Sequence, residues 1–170
     1  MTATRAPAPA TEFFRDLMSE HATSVAVVTA RQPSGAPGGL LVSSLCSYST
    51  RPPSLLVAID AASRSYPMMV NCRGFGVHLL GRADAELART FAGPAADRFA
   101  DQNWTWDDDV PRLAGARAYL RCATSAVLPH GDHAAIIGEV TDLEAVPGEP
   151  LIHFRRSLGW SLSPISSVSA

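Results

Sequence analysis

Two groups of residues in this chain have the types and spacing to do chemistry on a small ligand. The first is Gly38 to Pro53, which reads Gly-Gly-Leu-Leu-Val-Ser-Ser-Leu-Cys-Ser-Tyr-Ser-Thr-Arg-Pro-Pro. It has the apolar content of a β-strand, yet Ser43, Ser44, Ser47 and Ser49 fall on both faces of a period-two repeat. Small hydroxyls on both faces let something flat and polar-edged lie against the backbone and still find hydrogen-bond partners. Ten residues later, Ser63-Arg64-Ser65-Tyr66-Pro67 reads as a strand end passing into a short helix, with Ser65 as N-cap and Pro67 in the first turn. Free N–H groups at such a helix start attract an anion, and Arg64 adds a full charge. A flat ring followed by a phosphate is the outline of a flavin nucleotide. The plainer reading of the same residues is a capped helix with an arginine facing solvent.

The second group is Gly131-Asp132-His133. Gly131 permits a tight turn, and Asp132 can cap that turn or orient the His133 imidazole. From the residues alone, His133 is either a turn histidine without a special role or one that meets a substrate. His130 stands three residues earlier, but a metal site needs further ligands, and only the scattered His78, His153 and Cys122 offer themselves. A metal centre is therefore not expected. Asp107-Asp108-Asp109, after Trp104 and Trp106, reads as a solvated loop, with the tryptophans covering one end of the fold or a subunit contact. No G-x-S-x-G elbow supports a serine hydrolase, and no G-x-G-x-x-G supports Rossmann-type nicotinamide binding.

Composition narrows the classes further. All 14 basic side chains are arginine, which removes Schiff-base chemistry and the lysine of a P-loop, so an anion must be held by arginine or by backbone N–H groups. The net charge is −2 and the one adjacent basic pair is Arg155-Arg156, so nucleic acid is not the expected partner. The three cysteines are widely spaced, with no C-x-x-C pair, and read as apolar core residues in a reducing compartment. No apolar run approaches a membrane span, and no signal core opens the chain, so a cytoplasmic location is expected.

The elements that must position these groups are mostly strands. Residues 1–10 are Ala/Pro-rich and expected to be disordered, residues 11–160 form one domain, and residues 161–170 form a Ser-rich tail. Thr11 is expected to cap a short amphipathic helix carrying Phe13, Phe14, Leu17 and Met18. About seven strands follow, at 24–30, 39–49, 54–60, 74–81, 117–128, 133–143 and 150–155, with a helix after Ser65 and another from Ala83 to Phe91. Few helices, many strands and frequent turns favour an antiparallel barrel, closed or half-closed, over a parallel sheet.

Taken together, the segments resemble the flavin reductase family over roughly residues 12–160. The likeness runs through Phe14-Arg15, Ser24 to Thr29, Gly39 to Ser49, Pro52-Pro53 and Ser63-Arg64-Ser65. It continues through Phe75 to Leu80, Phe91 with Arg98-Phe99, Gly131-Asp132-His133 and Pro150-Leu151. The resemblance implies a split β-barrel that works as a homodimer and reduces FAD or FMN with NADH or NADPH by hydride transfer to flavin N5. The reduced flavin would feed a partner monooxygenase. It implies that Leu41, Val42, Ser43 and Ser44 line the flavin ring. Ala58, Ile59, Asp60, Ser63, Arg64 and Ser65 would hold its ribityl-phosphate side, with His78 and Arg98 completing the cofactor contacts. Gly131, Asp132 and His133 would stand where the nicotinamide arrives, with His133 as the catalytic contact. The chain departs from the family at Leu41, where Thr is frequent, at His78, where Asn is frequent, and at Leu158, where an aromatic is frequent and Trp160 is the nearest replacement. These departures motivate an alternative, a flavin-binding electron carrier without nicotinamide turnover.

Overall fold

The centre of the fold is set by the β-branched run after the first helix, because every residue from Val25 to Ala30 is buried. The computed structural model describes residues 11–94 and 97–160. The expectations for residues 1–10 and 161–170 lie outside the described residues. Helix α1 (Thr11–Ser19) precedes strands β1 (Thr23–Ser24), β2 (Ala26–Arg31), β3 (Pro37–Val42), β4 (Leu45–Thr50) and β5 (Pro53–Asp60). Helix α2 (Tyr66–Asn71), β6 (Gly74–Leu79), a 3₁₀ turn at Arg82–Asp84 and helix α3 (Ala85–Ala92) follow. The chain continues through β7 (Trp104–Asp107), β8 (Val110–Leu113), β9 (Ala118–His130), β10 (His133–Ala145), β11 (Ile152–Phe154) and β12 (Ser157–Trp160). The protein is thus mainly β, with a few short helices.

Seven strands form one antiparallel sheet in the order β3-β2-β6-β9-β10-β5-β4. Its two edge strands, β3 and β4, are consecutive in the chain and joined only by Ser43 and Ser44. The continuous strand expected over 39–49 is therefore two strands on opposite edges, and the serines mark the crossing. Strand propensity cannot register this break, because Leu41-Val42 and Leu45-Cys46 are each good strand sequence and only tertiary pairing separates them.

Strand β2 lies inside the sheet and buries both faces, which explains its uninterrupted apolar run. Ala26, Val28 and Ala30 join one core with Val42, Val57, Ile59, Met68, Phe75, Val77 and Ile136. The alternate residues Val25 and Val27 join a second core with Leu80, Phe91, Phe99, Leu113 and Leu151. Burying a side chain of this size contributes about 1.5–3 kcal/mol.

The acidic stretch matches its expectation in part. Trp104–Asp107 and Val110–Leu113 form a β-hairpin, with Asp107 in the first strand and Asp108 and Asp109 as its exposed turn. Asp108 turns the chain with φ +54, a conformation that Asp tolerates better than most residues. Arg121 pairs with Asp107 at 3.2 Å and with Asp108, while the Tyr119 hydroxyl donates to Asp107 at 2.8 Å. Two of the three acids are thus held by residues of β9, which lies distant in sequence. Thr11 is the first residue of α1 and not the cap before it. No residue of α1 is buried, and Phe13, Phe14, Leu17 and Met18 are exposed.

Candidate functional site

The predicted site residues gather into two neighbouring groups linked by the segment after β5. In the first, the Ser44 hydroxyl donates to the Ala58 carbonyl at 2.7 Å, tying the edge crossing to β5. Val42 and Ile59 turn their side chains into the first core, so each can offer a ligand only its backbone. Leu41 is half-buried against the second core. Ser43 and Ser44 are exposed.

β10 joins this group through register. His133 lies directly opposite Asp60, Ala135 opposite Ala58, and the Ala61 N–H donates to the Asp132 carbonyl at 2.9 Å. The Gly131–His133 turn and β5 are thus adjacent, although more than 70 residues separate them in sequence. Gly131 takes φ +58, the left-handed region that a tight turn requires and that glycine enters without strain. His133 Nδ1 lies 2.8 Å from Asp132 Oδ1. That hydrogen bond is the main reason the Asp132 carboxyl sits below its usual range; a backbone N–H and the nearby imidazole add to it, and Arg15 of α1 contributes a smaller effect. With Nδ1 held by Asp132, Nε2 is the nitrogen left to face an incoming ligand.

The second group surrounds a cleft of about 670 Å³, lined by Gly38, Gly39, Arg64, Ser65, Arg98 and Trp104 among others. The glycines are needed there. A Cβ on Gly39 would stand 2.7 Å from the Phe91 ring, and one on Gly38 would stand 2.3 Å from Met68 Sδ. Arg98 donates to the Gly39 carbonyl at 2.7 Å and the Gly93 carbonyl at 2.8 Å, while its Nε is buried without a partner. Arg64 reaches the Pro94 carbonyl at 3.1 Å. Burial first, and the charge of Arg64 second, lower the Arg98 pKa. Two guanidinium groups lining one cleft suit an anion that neutralises both.

The segment 60–65 bridges the two groups. Asp60 Oδ1 accepts from the Ala62 N–H at 2.8 Å, and Ser63 Oγ accepts from the Ser65 N–H at 3.2 Å. Ser65 occupies the N-cap position of α2, but its side chain makes no cap hydrogen bond; Ser63 shapes that turn instead. Neither Leu41 to Ser44 nor Gly131 to His133 lines the arginine cleft, so its walls come from outside the first group.

His78 leaves the candidate set. Its ring is fully buried, with Nδ1 3.2 Å from the Val27 carbonyl and Nε2 accepting the Leu113 N–H at 2.9 Å. Both nitrogens are used by backbone, and desolvation lowers its pKa from 6.5 to about 4, so the ring is neutral and tied into the sheet. Leu158 packs against the second core, which accounts for an aliphatic residue at that position. Residue-type reasoning omitted Gly38, Gly39 and Trp104 from the site. The paired glycines at the head of the serine-rich stretch were the available signal; the tryptophan gave none.

Comparison with known proteins decides the family. The model of the flavin reductase like domain matches residues 18–161. The chain belongs to the flavin reductase family. Among its relatives, the reductase component of a Rhodococcus opacus 4-nitrophenol 4-monooxygenase/4-nitrocatechol 2-monooxygenase is 36% identical over 146 residues, covering 86% of this chain and 78% of that one. The stachydrine N-demethylase reductase subunit of Rhizobium meliloti is 34% identical over 75% of this chain, which spans only 56% of that longer relative. Among solved structures, the Streptomyces globisporus NADH:FAD oxidoreductase in complex with NAD and FAD fragments superposes with TM-score 0.86 at 25% identity, covering 97% of this chain and 100% of that one. For a flavin reductase family member, two adjacent ligand groups joined by one loop are a coherent arrangement. Among the described residues no His/Cys/Asp/Glu group has the geometry to hold a metal, and no helix is long and apolar enough to cross a membrane.

Proposed function

We propose that this protein reduces FAD or FMN with NADH or NADPH and hands the reduced flavin to a partner monooxygenase. The observation that carries the reading is the Arg64–Arg98 pair lining one cleft. That pair fits the phosphate end of a flavin nucleotide. Ser43 and Ser44, with the backbone of Leu41, Val42 and Ala58 to Asp60, fit its ring and ribityl chain. Bound flavin and nicotinamide supply the redox chemistry themselves, as a hydride passing from nicotinamide C4 to flavin N5.

The residues of this chain have a different task. They hold the two rings in line, which supplies on the order of 7–11 kcal/mol of the barrier. They also place donors where charge develops on the flavin. His133 is assigned to the nicotinamide, with Asp132 fixing its tautomer and Gly131 shaping the turn. No general acid–base pair is needed for hydride transfer, so Asp132–His133 serves to orient the nicotinamide. An electron carrier without nicotinamide turnover remains the competing reading, and Asp132–His133 disfavours it, because a carrier needs no oriented imidazole at its flavin edge.

We further assign a split-barrel fold and a homodimer. Edge strands joined by two residues support the first, since a sheet whose edges meet at one end must curl toward closure. The exposed apolar face of α1, close enough to the Asp132 turn for Arg15 to act on it, supports a subunit contact beside the site. A cytoplasmic location agrees with all three cysteines being free. Titration with FMN and FAD, followed by oxidation of NADH and NADPH under air, tests the activity. Tight flavin binding without nicotinamide oxidation would transfer the assignment to the carrier. Light scattering near twice 18.0 kDa is expected for the dimer, and an active monomer would contradict a shared site.

A further inference from the structure

A second cleft, of about 550 Å³, lies beside the first and shares one wall with it, the half-buried indole of Trp104. Its charged lining is Arg112, Arg117 and Glu144. Glu144 already neutralises Arg112 through two contacts, at 3.2 and 2.6 Å, and the Arg112 guanidinium also lies 4.8 Å from the Tyr119 ring centre. Arg117 is different. It has no carboxylate partner among the described residues, and its Nε is buried without a hydrogen bond. Its stem runs beside Gly148, where a Cβ would stand 3.4 Å from Arg117 Cδ. The cleft therefore carries one guanidinium without a carboxylate partner beside an aromatic face, in a volume ordinary for a small-molecule site.

We propose that this cleft is a second ligand site, for a small aromatic monocarboxylate whose carboxylate sits on Arg117 and whose ring lies against Trp104. A carboxylate matches the planar fork of a guanidinium in two parallel hydrogen bonds, and a single charge balances the single free arginine. An aromatic body gains a ring–ring contact with the indole beyond the area it buries. Trp104 packs edge-on against Phe99 at 5.5 Å, and Phe99 follows Arg98 in sequence. A ligand seated on the indole thus bears on the arginine cleft, and its binding is coupled to that of flavin. The coupling rests on the flavin assignment above; the ligand site itself does not.

The test is calorimetric titration of the full chain with benzoate, alongside benzamide and acetate. Saturable benzoate binding is expected, with Arg117→Gln weakening it about 10- to 100-fold while flavin affinity in the absence of benzoate stays unchanged. Arg117→Lys keeps the charge without the planar fork and is expected to fall between the two; it replaces the glutamine variant if that one does not fold. Saturating benzoate is expected to change flavin affinity by about fivefold or more. Failure of benzoate to saturate, or equal binding by Arg117→Gln, overturns the site. Benzamide binding as well as benzoate removes the charge argument, and acetate binding as well removes the indole argument. Saturable benzoate binding with unchanged flavin affinity overturns the coupling.

Discussion

Two histidines, His78 and His133, stand on two strands of one sheet, β6 and β10, and have opposite relations to water. His78, in β6, is sealed between β2 and β8, with its nitrogens bonded to Val27 and Leu113. His133, at the head of β10, leaves 45% of its side chain exposed and has one nitrogen bound to Asp132. Neither residue type nor spacing separates them. What separates them is where each ring nitrogen goes: a histidine with both nitrogens spent on backbone is a strut, and one with a single nitrogen oriented by a carboxylate is available to a ligand.

The largest expected effect falls on the strut. His78→Ala removes a buried ring and leaves the Val27 carbonyl and Leu113 N–H without partners, so a loss of about 3–5 kcal/mol is expected in denaturant unfolding. His78→Asn, which can still serve one of those groups, should lose less. A loss as small as that of a surface substitution would show that β6 does not need the ring.

A pH series sharpens the same contrast. His78 titrates near 4 when folded and near 6.5 when unfolded, so between those values the unfolded chain binds more protons. The stability that the neutral ring provides is complete above about pH 6.5 and is lost as pH falls toward 4. The total is on the order of 3 kcal/mol. In His78→Asn that part of the pH dependence should vanish, whereas His133→Asn should retain it.

Arg64→Ala comes next, with a loss of about 1.5–3 kcal/mol in flavin affinity and little change in stability, as read by flavin fluorescence titration and thermal melting. Unchanged affinity would remove the phosphate from this cleft. His133→Ala is expected to lower kcat/KM for NADH by roughly 5- to 150-fold with flavin affinity nearly intact. Asp132→Ala should give a milder version if its task is to orient the imidazole. Normal kinetics in His133→Ala would return the residue to an ordinary turn.

Much of this was legible in the sequence because the signals were local. The β-branched run at 24–30, the Gly131 turn and the helix after Ser65 depend on residues within a few positions of one another, and each appears where expected to within a few residues. The misreadings that matter for the site depend on partners distant in sequence. The stretch 39–49 splits because Ser44 bonds to Ala58 across the sheet. Asp107 looks solvated until Tyr119 and Arg121 arrive from β9, while Asp108 stays exposed. His78 looks like a ligand contact until Leu113 caps its ring. The Arg64–Arg98 cleft was half legible: Arg64 stands out before α2, Arg98 enters only through the family resemblance, and their convergence belongs to the fold.

The measurement that bears most directly on the proposed reaction is anaerobic stopped-flow mixing of the flavin-loaded protein with NADH or NADPH, following flavin absorbance. Hydride transfer predicts a single-turnover bleach whose rate saturates with one nicotinamide and is slowed in His133→Ala but unchanged in any folded His78→Asn. Flavin that is bound yet stays oxidised after mixing with either nicotinamide would contradict it.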